Sequence, residues 1–220
     1  GSIWMVFLLY CVILLAAFDV ARIIWPALGP GLKYAAPLAV CMLAAGYVIY
    51  LHPKVERLEI VLDKPMEDLK VVAVSDVHLG HGTGVKALRK YVRLINSQNP
   101  DVVVVAGDLI DNSVQPLLNA PFAEILDSID APDGIYMVPG NHEYDYGMDR
   151  FLELAELSEF DVISSNFVTL SDNEPVLAES VIKDINGVKL GFVGITTPAT
   201  VTSSTPKYFQ NEAGEFIYGF

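Results

Sequence analysis

Hydrophobic and polar positions divide the chain into three stretches. Residues 3–51 are almost continuously apolar. Ile3–Phe18 carries no charge, Val20–Trp25 prolongs it past Asp19 and Arg22, and Tyr34–Leu51 is again uncharged. A membrane crossing needs roughly 20 apolar residues, so the pattern predicts two transmembrane helices joined by a Pro26–Gly31 turn. Asp19 and Arg22, three apart, can pair on a helix. Trp4, Trp25, Tyr34 and Tyr50 sit near the span ends, where aromatic belts lie. A cleaved signal peptide fits less well, because there is no basic leading region and a second span follows. In the middle stretch, short apolar runs alternate with helical periodicity. Val55–Leu62, Leu69–Ser75, Asp101–Ala106, Gly134–Val138 and Asp161–Ser165 read as strands, the first ended by Asp63-Lys64-Pro65 and the next three buried. Val85–Ser97, Leu117–Ile129 (with Pro121 early in it) and Gly147–Leu157 read as helices. Such alternation predicts an α/β domain with parallel strands. In the last stretch, Val176–Lys183 and Val188–Gly194 flank Asn186-Gly187, a strong hairpin signal. The predicted domains are 1–52, a transmembrane helical hairpin, and 53–220, an α/β domain.

Charge changes the picture for the second domain. Residues 58–220 hold ten basic and 25 acidic residues, a net of −15. A surface that acidic argues against a nucleic-acid partner, since phosphate backbones want basic surfaces. It suits either a protein that concentrates cations or one kept soluble by charge. Lys86, Arg89, Lys90 and Arg93 lie on the polar face of one helix and read as a solvated face. Cys11 and Cys41 both lie in the apolar spans, where cysteine behaves as a small hydrophobe. Lys54 and Arg57 after the second span lean toward a cytoplasmic soluble domain.

Three polar motifs follow three of the predicted strands: Asp76-Val77-His78, Gly107-Asp108 and Gly140-Asn141-His142-Glu143. Asp76 to Asp108 is 32 positions and Asp108 to Asn141 is 33, the length of a βαβ repeat. Parallel sheets carry ligands beyond the carboxyl ends of their strands, so these residues should converge. Carboxylate, imidazole and amide oxygen together suit hard or borderline divalent metals. On an extended segment Asp76 and His78 share a side. Asp108 can bridge two ions, Asn141 can serve the second without adding charge, and His142 can protonate a leaving oxygen. Glu143 either ties down its loop or is solvated. His81, in a glycine-rich loop, is a candidate for substrate contact or loop support, and His52 reads as an interfacial residue.

With Leu79 and Gly80, these motifs resemble the calcineurin-like metallophosphoesterase superfamily. Residues 1–143 look like its membrane-anchored bacterial members. Asn141–Gly147, Ser164-Ser165-Asn166 and Gly194–Pro198 resemble the 5'-nucleotidase branch. The resemblance implies a β-sandwich flanked by helices and two divalent ions (Mn, Fe or Zn). Asp76 and His78 would hold the first ion, Asp108 would bridge, Asn141 would hold the second, and His142 would assist the leaving group. The implied activity is phosphoester hydrolysis by a metal-bridging hydroxide, on nucleotides or on lipid-linked phosphoesters. The implied setting is a bacterial inner membrane, with the bilayer and a phosphoester substrate as partners and no protein partner expected. The superfamily pattern also includes later histidines in a Gly-His-x-His motif, and no histidine follows His142. The expectation is therefore a phosphoesterase domain incomplete at its C-terminus, a weakly held second ion and slow hydrolysis. A non-catalytic membrane-anchored metal- or ligand-binding protein is the alternative.

Overall fold

The structure, a computed structural model, describes residues 2–63 and 67–220. The chain divides into two compact units at Asp63. In the first unit, α1 (Ser2–Ile24) and α2 (Leu32–Tyr50) pack on each other. Small residues let them approach: Ala35 and Ala39 are fully buried, and a Cβ on Gly31 would lie 3.0 Å from Phe18 Cβ. Phe18 and Tyr34 rings meet at 5.4 Å, and Arg22 lies 3.9 Å from Asp19. Both helices are long and apolar enough to cross a membrane by length and composition, and most of their large apolar side chains are exposed.

In the second unit the elements run β1 (Val71–Val74), α3 (Val85–Asn96), β2 (Val102–Ala106), α4 (Phe122–Leu126), β3 (Ile135–Val138), α5 (Met148–Leu157), β4 (Asp161–Val162), β5 (Val168–Thr169), β6 (Ser180–Ile185), β7 (Val188–Val193), α6 (Thr200–Ser203) and β8 (Tyr218–Gly219). Strands β1 to β4 form one parallel sheet in sequence order. Its valine-rich centre is covered on both faces, as parallel sheets require. Leu88, Val92 and Ile95 of α3, with Phe122 and Ile125 of α4, pack with Val103, Val105 and Met137. Val102 and Tyr136 instead pack with the β6–β7 hairpin through Ile185 and Phe192, and the Tyr136 and Phe192 rings stack at 3.9 Å. This gives an α/β fold in which helices, a parallel sheet and a second, smaller sheet lie in layers.

Four expectations change in detail. Val55–Leu62 has strand-like alternation but makes no strand pairing among the described residues, and Leu58, Ile60 and Val61 are exposed. An isolated strand gains nothing without a neighbour to satisfy its N–H and C=O groups. Of the turn expected to end it, Lys64 and Pro65 lie outside the described residues. The Leu69–Ser75 run yields only Val71–Val74, with alternating exposure, because β1 is the edge of the sheet. The helix expected over Leu117–Ile129 splits into a 3-10 turn at Gln115–Leu117 and α4. Pro121 has no N–H to donate to the preceding turn, so the helix can only begin after it. The Asp161–Ser165 strand shortens to two residues.

Candidate active site

Strands β1, β2 and β3 are parallel neighbours, so the loops at their carboxyl ends emerge side by side. The first two loops remain hydrogen-bonded past the strands. Gly107 O accepts from Asp76 N at 3.2 Å, Asp108 O from His78 N at 2.9 Å and Leu109 O from Leu79 N at 2.8 Å. The backbone does this by turning left-handed at Asp76 (φ 52°), His78 (φ 48°), Gly107 (φ 77°) and Asp108 (φ 54°). Asp and His tolerate that region better than most side chains, yet each such residue costs roughly 1–3 kcal/mol and clusters of them mark functional sites. The segment is therefore not extended, as the two-residue spacing suggests. Turns rather than pleating bring Asp76 and His78 together. The second and third loops touch backbone to backbone. A Cβ on Gly107 would lie 2.8 Å from Gly140 Cα, and one on Gly140 would fall on the Asp108 carboxylate.

Glu143 ties these loops together. Its Oε1 accepts from Leu109 N (2.8 Å) and Ile110 N (3.2 Å), and its Oε2 from Asp108 N (2.9 Å) and Gly140 N (2.7 Å). Burial pushes the carboxyl above the usual glutamate range, and the amides of Asp108, Gly140 and Ile110 pull against it. The next residue, Tyr144, is fully buried among Phe151, Phe167, Phe209 and Phe220, with ring centroids 4.6–5.7 Å away. This aromatic nest fixes the 3-10 turn His142–Tyr144. Thr196 supports the approach to it, donating from Oγ1 to Pro139 O (3.0 Å) while its N–H and C=O pair with the Asn166 amide. Ser165 Oγ donates to Gly194 O (2.9 Å). The Ser164–Asn166 and Gly194–Pro198 segments thus brace the loop after β3.

Within this frame Asp76, His78 and Asp108 form one three-residue group and His78, Asp111 and His142 another; within each, the candidate ligand atoms lie within 4.8 Å of one another. His78 Nε2 lies 3.8 Å from Asp76 Oδ1. The His78 and His142 rings meet edge to face at 4.8 Å. His142 N donates to Asp108 Oδ1 at 3.0 Å. Asn141 caps the same 3-10 turn, its carbonyl accepting from Tyr144 N at 3.3 Å. His81 is exposed and belongs to neither group, and His52 Nδ1 sits 2.7 Å from Val48 O in the first unit. Two acids escaped the sequence reading. Asp111 Oδ1 is 3.8 Å from Nδ1 of both His78 and His142. Asp145 Oδ2 is 2.9 Å from His142 Nδ1, while its Oδ1 accepts from Ser204 Oγ at 2.8 Å. The available signal was spacing: each lies three residues after a site residue already singled out.

The calcineurin-like phosphoesterase family model matches residues 69–209, well over half the chain. The chain belongs to that family. An uncharacterized metallophosphoesterase of Campylobacter jejuni is 34% identical over 102 residues, 46% of this chain and 27% of that protein. A transmembrane protein with a metallophosphoesterase domain from Danio rerio is 42% identical over 95 residues, 42% of this chain and 21% of that protein. The calcineurin-like phosphoesterase YfkN of Bacillus subtilis is a structural neighbour with TM-score 0.49 and 20% identity, over 64% of this chain and 52% of that one. The chain thus spans about a quarter of the length of the two curated relatives named. The family's chemistry, hydrolysis of phosphoester bonds, agrees with a site built from acids and histidines.

Proposed function

We propose that this chain is the anchor and phosphoesterase part of a membrane-bound, metal-dependent phosphoesterase, with residues 1–52 as the anchor and 53–220 as the catalytic domain. The observation that carries the reading is the gathering of candidate ligand atoms of Asp76, His78 and Asp108 within 4.8 Å of one another, on left-handed turns that cost stability. Their separation and chemistry fit a divalent cation, with Mn, Fe and Zn all compatible with an oxygen- and nitrogen-rich set. Asp76 and His78 would hold one ion, Asp108 would reach two, and Asn141 would serve the second. When bound, such ions stabilise phosphoryl charge and make a water more acidic. The chain's own residues do the rest. His142 protonates the leaving oxygen. Asp145, 2.9 Å from its Nδ1, keeps the ring oriented. Glu143 holds the loops in register, and His81 is exposed to incoming substrate. The substrate is a phosphoester, either a nucleotide or a lipid-linked phosphoester presented at the bilayer.

The test is hydrolysis of p-nitrophenyl phosphate, its bis ester and AMP by the detergent-solubilised chain with added Mn²⁺. Activity should depend on metal and fall by about 10²-fold or more in Asp108→Ala, as expected when reacting groups lose their alignment. Equal rates in the two proteins would sink the reading.

A further inference from the structure

Residues 77–100 contain no acidic residue, although residues 58–220 hold 25. Lys86, Arg89, Lys90 and Arg93, four of the ten cations of residues 58–220, fall inside that stretch, on α3. Their spacing of i, i+3, i+4 and i+7 puts all four on one helix face. The opposite face, with Leu88, Val92 and Ile95, is buried in the core, which turns the cations outward. Lys86, Arg89 and Arg93 are exposed and make no ion pair among the described residues. Glu124 and Asp127 are exposed on the neighbouring α4, yet pair with none of the three. A cationic face kept clear of acids, on a domain of net −15, suits a partner that is itself an extended negative surface. Clusters of about four to eight Lys and Arg on a helix are drawn to anionic lipid headgroups. Fields between exposed charges fade within a Debye length. The patch nearest the partner therefore decides the encounter, and the acidic remainder of the surface disfavours other orientations.

We propose that the outward face of α3 docks on the anionic headgroups of the bilayer that holds residues 1–52. The docking rests on the anchor proposed above and not on the metal chemistry. Anchor and domain share one chain, so tethering keeps the local concentration of headgroups high and a weak attraction suffices. Helix α3 follows directly on the loop 75–84, which carries Asp76 and His78. The docked face thus lays that loop alongside the lipid surface. Of the two substrate classes proposed, this arrangement suits the lipid-linked phosphoester.

Lysine footprinting tests the contact without any turnover. The full chain is placed in lipid nanodiscs, whose two faces are both open to solvent, and its lysines are acetylated and quantified by mass spectrometry. One set of discs is phosphatidylcholine, and the other is phosphatidylcholine and phosphatidylglycerol in equal parts. Lys86 should react several-fold more slowly in the anionic discs, and high salt should abolish the difference. Lys183 and Lys189 on the hairpin, both exposed, should react alike in the two. Arg89→Glu combined with Arg93→Glu, both on the outer face, should remove the protection of Lys86. Equal Lys86 rates in the two discs would overturn the proposal, and that comparison needs no variant. Protection shared by Lys183 and Lys189 would also overturn it, as adsorption without orientation. So would protection already present in neutral discs, where a protein surface covers α3, or protection reproduced there by inorganic phosphate, where a soluble anion is the ligand. A failed Asp108→Ala test of hydrolysis would leave a positive footprint standing.

Discussion

Glu143 serves four backbone donors with two oxygens, two on each. Glutamine in its place keeps one acceptor oxygen and turns a donor group toward the other two amides. Hydrogen bonds to a charged acceptor are the strong ones, and an unsatisfied buried donor carries the full desolvation cost. Glu143→Gln should therefore destabilise the chain by about 2–4 kcal/mol, read as a fall in thermal midpoint in detergent. A shift within error would show that the carboxylate is not what holds these loops. At this scale the sequence was informative where a residue type is rare in context, as with His78 and His142 beside acids. It was uninformative where position depends on a turn. Asp111 and Asp145 are ordinary loop acids in the sequence, and only the left-handed bend through Gly107 and Asp108 and the 3-10 turn at His142 direct them to the histidines. The left-handed backbone at Asp76 and His78 likewise left no trace in a two-residue spacing that strands and turns share.

Among the elements, the strands at the centre of the sheet were legible because their residues are uniformly apolar and a glycine follows within two positions. The edges were not. β1 keeps only alternate residues in the core, and Val55–Leu62, which alternates apolar with charged residues only in part, pairs with nothing among the described residues. Composition marks a segment that could be a strand, but a partner makes it one. Helix α4 shows a local rule defeating a periodic one, since Pro121 interrupts an otherwise amphipathic run. The hairpin was the clearest signal, and its turn is left-handed at both centres, Asn186 (φ 54°) and Gly187 (φ 80°). A Cβ on Gly187 would meet nothing within 4 Å, so replacing it carries a conformational cost alone. Gly187→Ala should destabilise by about 1–2 kcal/mol, measured by chemical denaturation. A neutral result would mean that the turn relaxes to another type.

At the scale of the whole chain, an apolar helical pair is followed by a strongly acidic domain, and the sequence made that contrast plain through charge alone. The two helices expose most of their large apolar side chains, and exposed apolar surfaces of this kind mark membrane or protein contact sites. Expressed in cells, the chain should sediment with membranes and resist alkaline carbonate. Recovery in the soluble fraction with residues 1–52 intact would rule out the anchor. The acidic domain has its own division of labour, for beside the aromatic packing around Tyr144 one carboxylate joins loops that begin on different strands. Local openings of a protein expose amides in cooperative groups, and the amides of Asp108, Leu109, Ile110 and Gly140 share a single acceptor residue. They should therefore lose their protons to deuterated solvent together, with one common opening free energy. If Gly140 exchanges far faster than the other three, the loops open independently. If all four exchange in step, the loops after β2 and β3 assemble and come apart as a unit, and the residues they carry are brought together or released all at once.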